Sequence, residues 1–136
     1  MGRILAVDFG MKRIGLARTD SRKVIALPFK MIAAAKTLEQ TVDLILEELN
    51  DIDLIIVGLP LLLSGKDSDI TIIVRKFAAL LKEKSNLPLL LWDERLTSKQ
   101  VEKVLIEGGV KRKDRTQYTD VMCATLILQN YLSYQS

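Results

Sequence analysis

Three acidic positions carry the chemistry this sequence offers. Asp8 ends a short apolar run, Ile4-Leu5-Ala6-Val7, and Asp93-Glu94 ends a second, Pro88 to Trp92. Asp120 stands early in a long, largely apolar C-terminal segment. Each lies where a buried element should meet solvent, and a carboxylate there is costly unless something pairs with it. Three clustered carboxylates favour hard divalent ions, Mg²⁺ or Mn²⁺. Two such ions can activate a water and stabilise the leaving oxygen in phosphodiester cleavage. Other chemistries are poorly supplied. Histidine is absent, which excludes His-based catalysis and His metal ligands, and Cys123 is alone. The plainer reading makes the same acids turn residues, caps and surface groups. Asp and Gly are common in turns, and Asp120 near a helix start is stabilised by the macrodipole. Spacing alone leaves both readings open.

The elements that would position these acids follow from periodicity. Ile4 to Asp8 reads as a buried strand, and Ile14 to Ala17 as its hairpin partner across a short connection that places Lys12 and Arg13 beside Asp8. Lys23 to Phe29 predicts a third strand, antiparallel to the second. From Thr37 to Asn50 the period changes, with Leu38, Val42, Ile45, Leu46 and Leu49 on one helical face and Thr37 with Gln40 as a capping box. Asp53 to Gly58 is a buried strand. Leu61 to Ser68 is a loop whose three leucines need burial or form a binding surface. A helix from Asp69 to Lys84 is capped by Ser68. Pro88 to Trp92 is the last strand. Thr97, with Gln100, opens a helix that stops at Gly108-Gly109. A basic linker then leads to a final helix, Thr116 to Leu132. The order β-β-β-α-β-α-β-α-α requires an antiparallel meander followed by right-handed parallel crossovers. The expected fold is α/β, a mixed five-stranded sheet with helices on both faces. Parallel neighbours bring their carboxyl ends to one edge, where sites form. Strand alternation lets only one of Asp93 and Glu94 share a site with Asp8.

Composition narrows the class. With 136 residues, 49% of them hydrophobic, the chain is expected to form one domain, 1–136. A lone cysteine fits a reducing, cytoplasmic setting. The longest apolar stretch, Leu54 to Leu63, is short and broken by Gly58 and Pro60, so no membrane span or membrane partner is expected. The N-terminus reads as a strand rather than a targeting signal. Net charge is +3 from 20 basic and 17 acidic residues. Lys99, Lys103, Lys111, Arg112, Lys113 and Arg115, set against Glu102, Glu107 and Asp114, account for all of it. Such a patch can meet nucleic acid, or can be an ordinary solvated loop.

Asp8-Phe9-Gly10-Met11-Lys12-Arg13-Ile14-Gly15-Leu16-Ala17 closely resembles the opening motif of the YqgF family, also called RuvX. Val57-Gly58-Leu59-Pro60, Asp93-Glu94-Arg95-Leu96-Thr97-Ser98, and Asp120 with Ala124, Ile127-Leu128-Gln129 and Tyr131-Leu132 match its other motifs. The resemblance runs nearly end to end and implies an RNase H-like fold. It also implies a nuclease, acting either in maturation of the 5′ end of pre-16S rRNA or on Holliday junctions. It maps Asp8, Glu94 and Asp120 onto the family's acidic, metal-holding triad. Lys12, Arg13, Arg95 and Thr97 map onto positions that contact phosphate. Lys111, Arg112, Lys113 and Arg115 join them as a mobile basic lid on charge grounds. After Gly-Leu-Pro the chain departs from its relatives: Leu61-Leu62-Leu63-Ser64-Gly65 and Asp67-Ser68-Asp69 replace a polar loop.

The expected activity is metal-dependent hydrolysis of phosphodiester bonds in structured RNA, above all the ribosomal precursor, by a monomer or weak homodimer. The alternatives are a DNA junction resolvase, which a stable two-fold dimer would favour, and a non-catalytic binder. The acidic set argues against the binder, because carboxylates repel phosphate. Sugar kinases and actin-like ATPases share an Asp-x-Gly hairpin but need two such domains. Protein kinases share Asp-Phe-Gly, but no glycine-rich loop precedes it here.

Overall fold

A computed structural model describes residues 2–93 and 112–135, with side chains of the last helix described from Val121 onward. The elements are β1 (Arg3–Asp8), β2 (Arg13–Thr19), β3 (Ala26–Ala33), α1 (Leu38–Leu46), β4 (Ile52–Leu59), α2 (Asp69–Ser85), β5 (Leu89–Asp93) and α3 (Arg112–Gln135). The strands form one sheet in the order β3-β2-β1-β4-β5. β1, β2 and β3 are an antiparallel meander, and β4 and β5 join in parallel. This is the expected mixed sheet. The capped helix expected over 97–108 lies outside the described residues.

The alternation of β1 divides the core. Leu5 and Val7 pack with Val42 and Ile45 of α1 and Val74, Phe77 and Leu81 of α2. Ile4 and Ala6 pack with Ala124, Ile127, Leu128 and Tyr131 of α3. Both faces of the central strands are therefore covered, which is why β1 and β4 read as continuous apolar runs. Helices lie on both faces, as the sequence predicts.

Local chemistry sets the boundaries. The Thr37 hydroxyl accepts from the Gln40 amide at 3.1 Å and starts α1. Ser68 and Thr71 form a reciprocal capping box at α2, each side chain meeting the other's backbone N–H. Asn86, with φ 58°, ends α2 in the left-handed conformation that asparagine tolerates. α1 stops at Leu46, short of the expected Asn50. Its tail tightens into turns, with the Glu48 amide donating to the Ile45 carbonyl, and Asp51 at φ 67° redirects the chain into β4.

Two further expectations need correcting. The third strand runs Ala26–Ala33, not Lys23 to Phe29. The Asp20 carboxylate accepts from the Val24 and Ile25 amides at 2.9 and 3.0 Å, so these residues belong to the turn. Those bonds hold the Asp20 carboxyl below its ordinary pKa, the Ile25 amide contributing most. Pro28 is tolerated inside β3 because β3 is an edge strand. The final helix begins at Arg112, not Thr116. Arg112, Lys113 and Arg115 are therefore helical, not part of a mobile linker. Lys and Arg are good helix formers, and no Gly or Pro separates Arg112 from Thr116.

Candidate active site

Parallel pairing on both sides of β4 builds the edge. Val7 pairs with Val57 and Val57 with Leu91, so these three residues form one row across β1, β4 and β5. Asp8 lies one residue beyond that row and ends β1. It is partly buried and pairs in register with Gly15 of β2. Its parity is that of Ile4 and Ala6, so it sits on the α3 face of the sheet.

The turn after Asp8 is tightly held. Phe9 is buried, and its ring lies 4.7 Å from that of Phe77, a fully buried residue of α2. A Cβ on Gly10 would stand 2.5 Å from the Arg13 carbonyl oxygen, so only glycine allows this approach. The Ala34 amide donates to the Lys12 carbonyl at 2.9 Å, tying the turn to the end of β3. Lys12 is exposed in the turn and Arg13, half-buried, starts β2. Asp8, Lys12 and Arg13 are thus brought to one end of the hairpin, as the sequence predicts.

At the other end of the edge, Asp93 closes β5 and is exposed. Leu59, its register partner, belongs to the α1/α2 core, so Asp93 lies on the face opposite Asp8. Trp92 lies on the α3 face, with its ring 5.5 Å from that of Tyr131 and 5.7 Å from that of Tyr134. Glu94, Arg95, Thr97 and Lys111 lie outside the described residues. Asp120 is helical. It stands four residues before Ala124, which with Ile127, Leu128 and Tyr131 packs against the sheet. It is the ninth residue of α3, so the macrodipole, which fades within the first turn, does not account for it. Among the described residues no three acidic or thiol groups gather as a metal site.

β4 delivers a further feature to this edge. Leu61 and Asp67 pair as an isolated bridge and enclose a tight turn with Gly65 at φ 87°. Leu61 packs against the α1/α2 core, whereas Leu62 and Leu63 are 48% and 69% exposed. The leucine run of the sequence is thus partly anchor and partly surface. Asp67 receives both Nε and Nη2 of Arg75, at 2.8 and 3.0 Å. Those hydrogen bonds hold the Asp67 carboxyl below its ordinary pKa.

Comparison with known proteins agrees with this fold. The family described as "RuvX: Holliday junction resolvase" matches residues 2–134. A protein of Protochlamydia amoebophila named "Putative pre-16S rRNA nuclease" is 44% identical, over 96% of this chain and 92% of its own length. A protein of the same name from Koribacter versatilis is 42% identical, over 96% of this chain and 86% of its own. Among solved structures, Thermus thermophilus RuvC in complex with a Holliday junction substrate superposes with a TM-score of 0.58. At 13% identity it covers 100% of this chain and 97% of that one. The likeness is one of fold, and the fold is RNase H-like.

Proposed function

Since the chain belongs to the RuvX family and so stands among the nucleases, we propose that it is a metal-dependent nuclease that matures the 5′ end of pre-16S rRNA. The observation that carries this reading is the shared edge. β1 and β5 flank β4 in parallel, Asp8 closes β1, and Glu94 follows directly on β5. The named activity of the relatives gives the substrate.

Asp8, Glu94 and Asp120 would hold Mg²⁺ or Mn²⁺. The donor set fits such an ion: all three are carboxylates, the hard oxygen ligands that these cations take. Strand residues repeat a face every second position, and Glu94 is two residues after Trp92, which lies on the α3 face with Asp8. Asp120 precedes by four residues Ala124, which packs on that face, and helical spacing would bring it to the same side. When bound, the ions would lower the pKa of an attacking water and stabilise the leaving oxygen. The chain's own contribution is placement. The turn around Phe9 and Gly10 fixes where Asp8 stands, and Lys12, Arg13, Arg95 and Thr97 would draw in the scissile phosphate. Arg112, Lys113 and Arg115 open α3, and with the preceding Lys111 they would add phosphate contacts from the start of that helix rather than from a linker. We read 1–136 as one such domain, working in the cytoplasm as a monomer or weak homodimer. No described helix is long and apolar enough to cross a membrane.

The family's description favours a second reading, cleavage of branched DNA. One assay separates the two: Mg²⁺-dependent cleavage of an rRNA-precursor fragment and of a four-way DNA junction, side by side. Preferential cutting of the RNA near its 5′ end is expected. Symmetric junction cutting by a stable dimer with the RNA untouched would transfer the chain to the second reading.

A further inference from the structure

We propose that the hairpin Leu61–Asp67 is a rigid apolar finger that engages unpaired nucleobases of a structured nucleic acid beside the cleavage edge. The proposal rests on the nuclease reading. Its position comes first. β4 lies between β1 and β5 and runs parallel to both, so the loop leaving β4 starts at the sheet edge where β1 ends in Asp8 and β5 in Asp93. Leu62 and Leu63 are exposed there, and Met11, in the neighbouring β1–β2 turn, is 63% exposed.

A single exposed leucine needs no explanation. Here the exposed pair is held out on a braced support. The Leu62 amide donates to the Lys66 carbonyl at 2.9 Å and the Gly65 amide to the Leu62 carbonyl at 2.7 Å. Asp67 is clamped to Arg75 of α2 through two hydrogen bonds. The Thr71 hydroxyl donates to the Pro60 carbonyl, joining the base of the loop to the first turn of α2. A loop fixed at its base and closed across its neck does not fold its leucines away.

Charge selects the occupant. Lys66 belongs to the hairpin itself, and Lys12 and Arg13 belong to the turn that follows β1, the parallel neighbour of β4, at an edge whose proposed substrate is a phosphodiester chain. Cations meet the backbone, and apolar side chains meet base faces, as wedge residues do at opened base steps. Paired stems hide those faces. They are offered where a stem gives way to a single strand, so the finger would give preference for junctions between paired and unpaired nucleic acid.

The test compares the wild-type chain with Leu62→Ser/Leu63→Ser. Two RNAs are used without divalent metal, so that none is cut: a stem with a 5′ single-stranded tail carrying 2-aminopurine at its first unpaired position, and a blunt stem. Both leucines are exposed, so the melting temperature should hold. Affinity for the tailed stem should fall roughly five- to tenfold, the low end of the range for one lost base contact. Blunt-stem affinity should not change, and the 2-aminopurine signal on binding should vanish. Equal losses on both RNAs, an unchanged signal in the variant, or a wild type that binds both RNAs alike or neither would overturn the proposal. Adding Mg²⁺ to the wild type tests the nuclease reading separately: base contact without cleavage sinks that reading and leaves the finger standing.

Discussion

Gly10→Ala is the most direct probe of how the fold places Asp8. The substitution puts a methyl 2.5 Å from the Arg13 carbonyl oxygen, which belongs to the backbone and cannot rotate away. Ordinary contact requires the two to separate by roughly 0.5–1 Å. The turn has few ways to yield. Phe9 is held by Phe77 on one side, and Lys12 is bound to Ala34 on the other. Overpacking of this kind costs about 1–3 kcal/mol, against about 5–15 kcal/mol for a whole domain. The protein should therefore fold, with a melting temperature lower by on the order of 5–10 °C. The strain falls two residues from Asp8 and directly on Arg13. A displacement approaching 1 Å in catalytic geometry costs on the order of 10²-fold in rate. Cleavage should fall by about that factor well below the melting temperature, while binding of RNA weakens much less. The assays are thermal unfolding by circular dichroism and single-turnover cleavage with Mg²⁺. A Gly10→Ala protein with wild-type cleavage would show that the turn does not set the site.

Asp8→Asn keeps the size and removes the charge, so it should abolish cleavage with unfolding unchanged. A folded variant with full activity would refute the metal assignment. Glu94→Ala should lose much more activity than Asp93→Ala in the same cleavage assay, because Asp93 lies on the opposite face from Asp8. Replacing Lys111, Arg112 and Lys113 together by Gln should flatten the slope of log affinity against log salt by up to about three units, and an unchanged slope would return the phosphate contacts to Lys12, Arg13 and Arg95. The Arg75 hydrogen bonds depress the folded pKa of Asp67, so their stabilisation is present above the unfolded value and is lost as pH falls through the folded one. The melting-temperature gap between wild type and Asp67→Asn should accordingly narrow as pH falls from neutral through and below the ordinary carboxylate range.

What the sequence disclosed was whatever backbone periodicity controls. Ile4-Leu5-Ala6-Val7 and Leu54-Ile55-Ile56-Val57 are strands covered on both faces, and such strands need a helix on each side. The caps at Thr37 and Ser68 were legible because a hydroxyl three residues before a free amide is a local matter. The third strand was misplaced because its start depends on where the Asp20 side chain finds its donors, a contact spanning five residues with no periodic trace. Met31 and Ile32, apolar just beyond the expected end, were the signal available. The start of α3 was misplaced for a different reason. A charge run reads equally as linker or as helix surface, and tertiary context decides.

The site shows the same division between local and non-local information. Asp8 could be placed at the end of β1 from its own run of residues. Which of two adjacent acids joins it could not, because that depends on the register of β5 against β4, set by a crossover of more than twenty residues. Pairing Leu59 with Asp93 assigns Asp93 to the α1/α2 face. A slip of one residue would exchange the roles of Asp93 and Glu94 and turn Trp92 away from Tyr131. The aromatic contact of Trp92 with α3 therefore does more than fill space at the sheet edge. It favours the register in which Trp92 takes the α3 face and Asp93 the α1/α2 face, so on the proposed site weakening that contact should cost activity as well as stability.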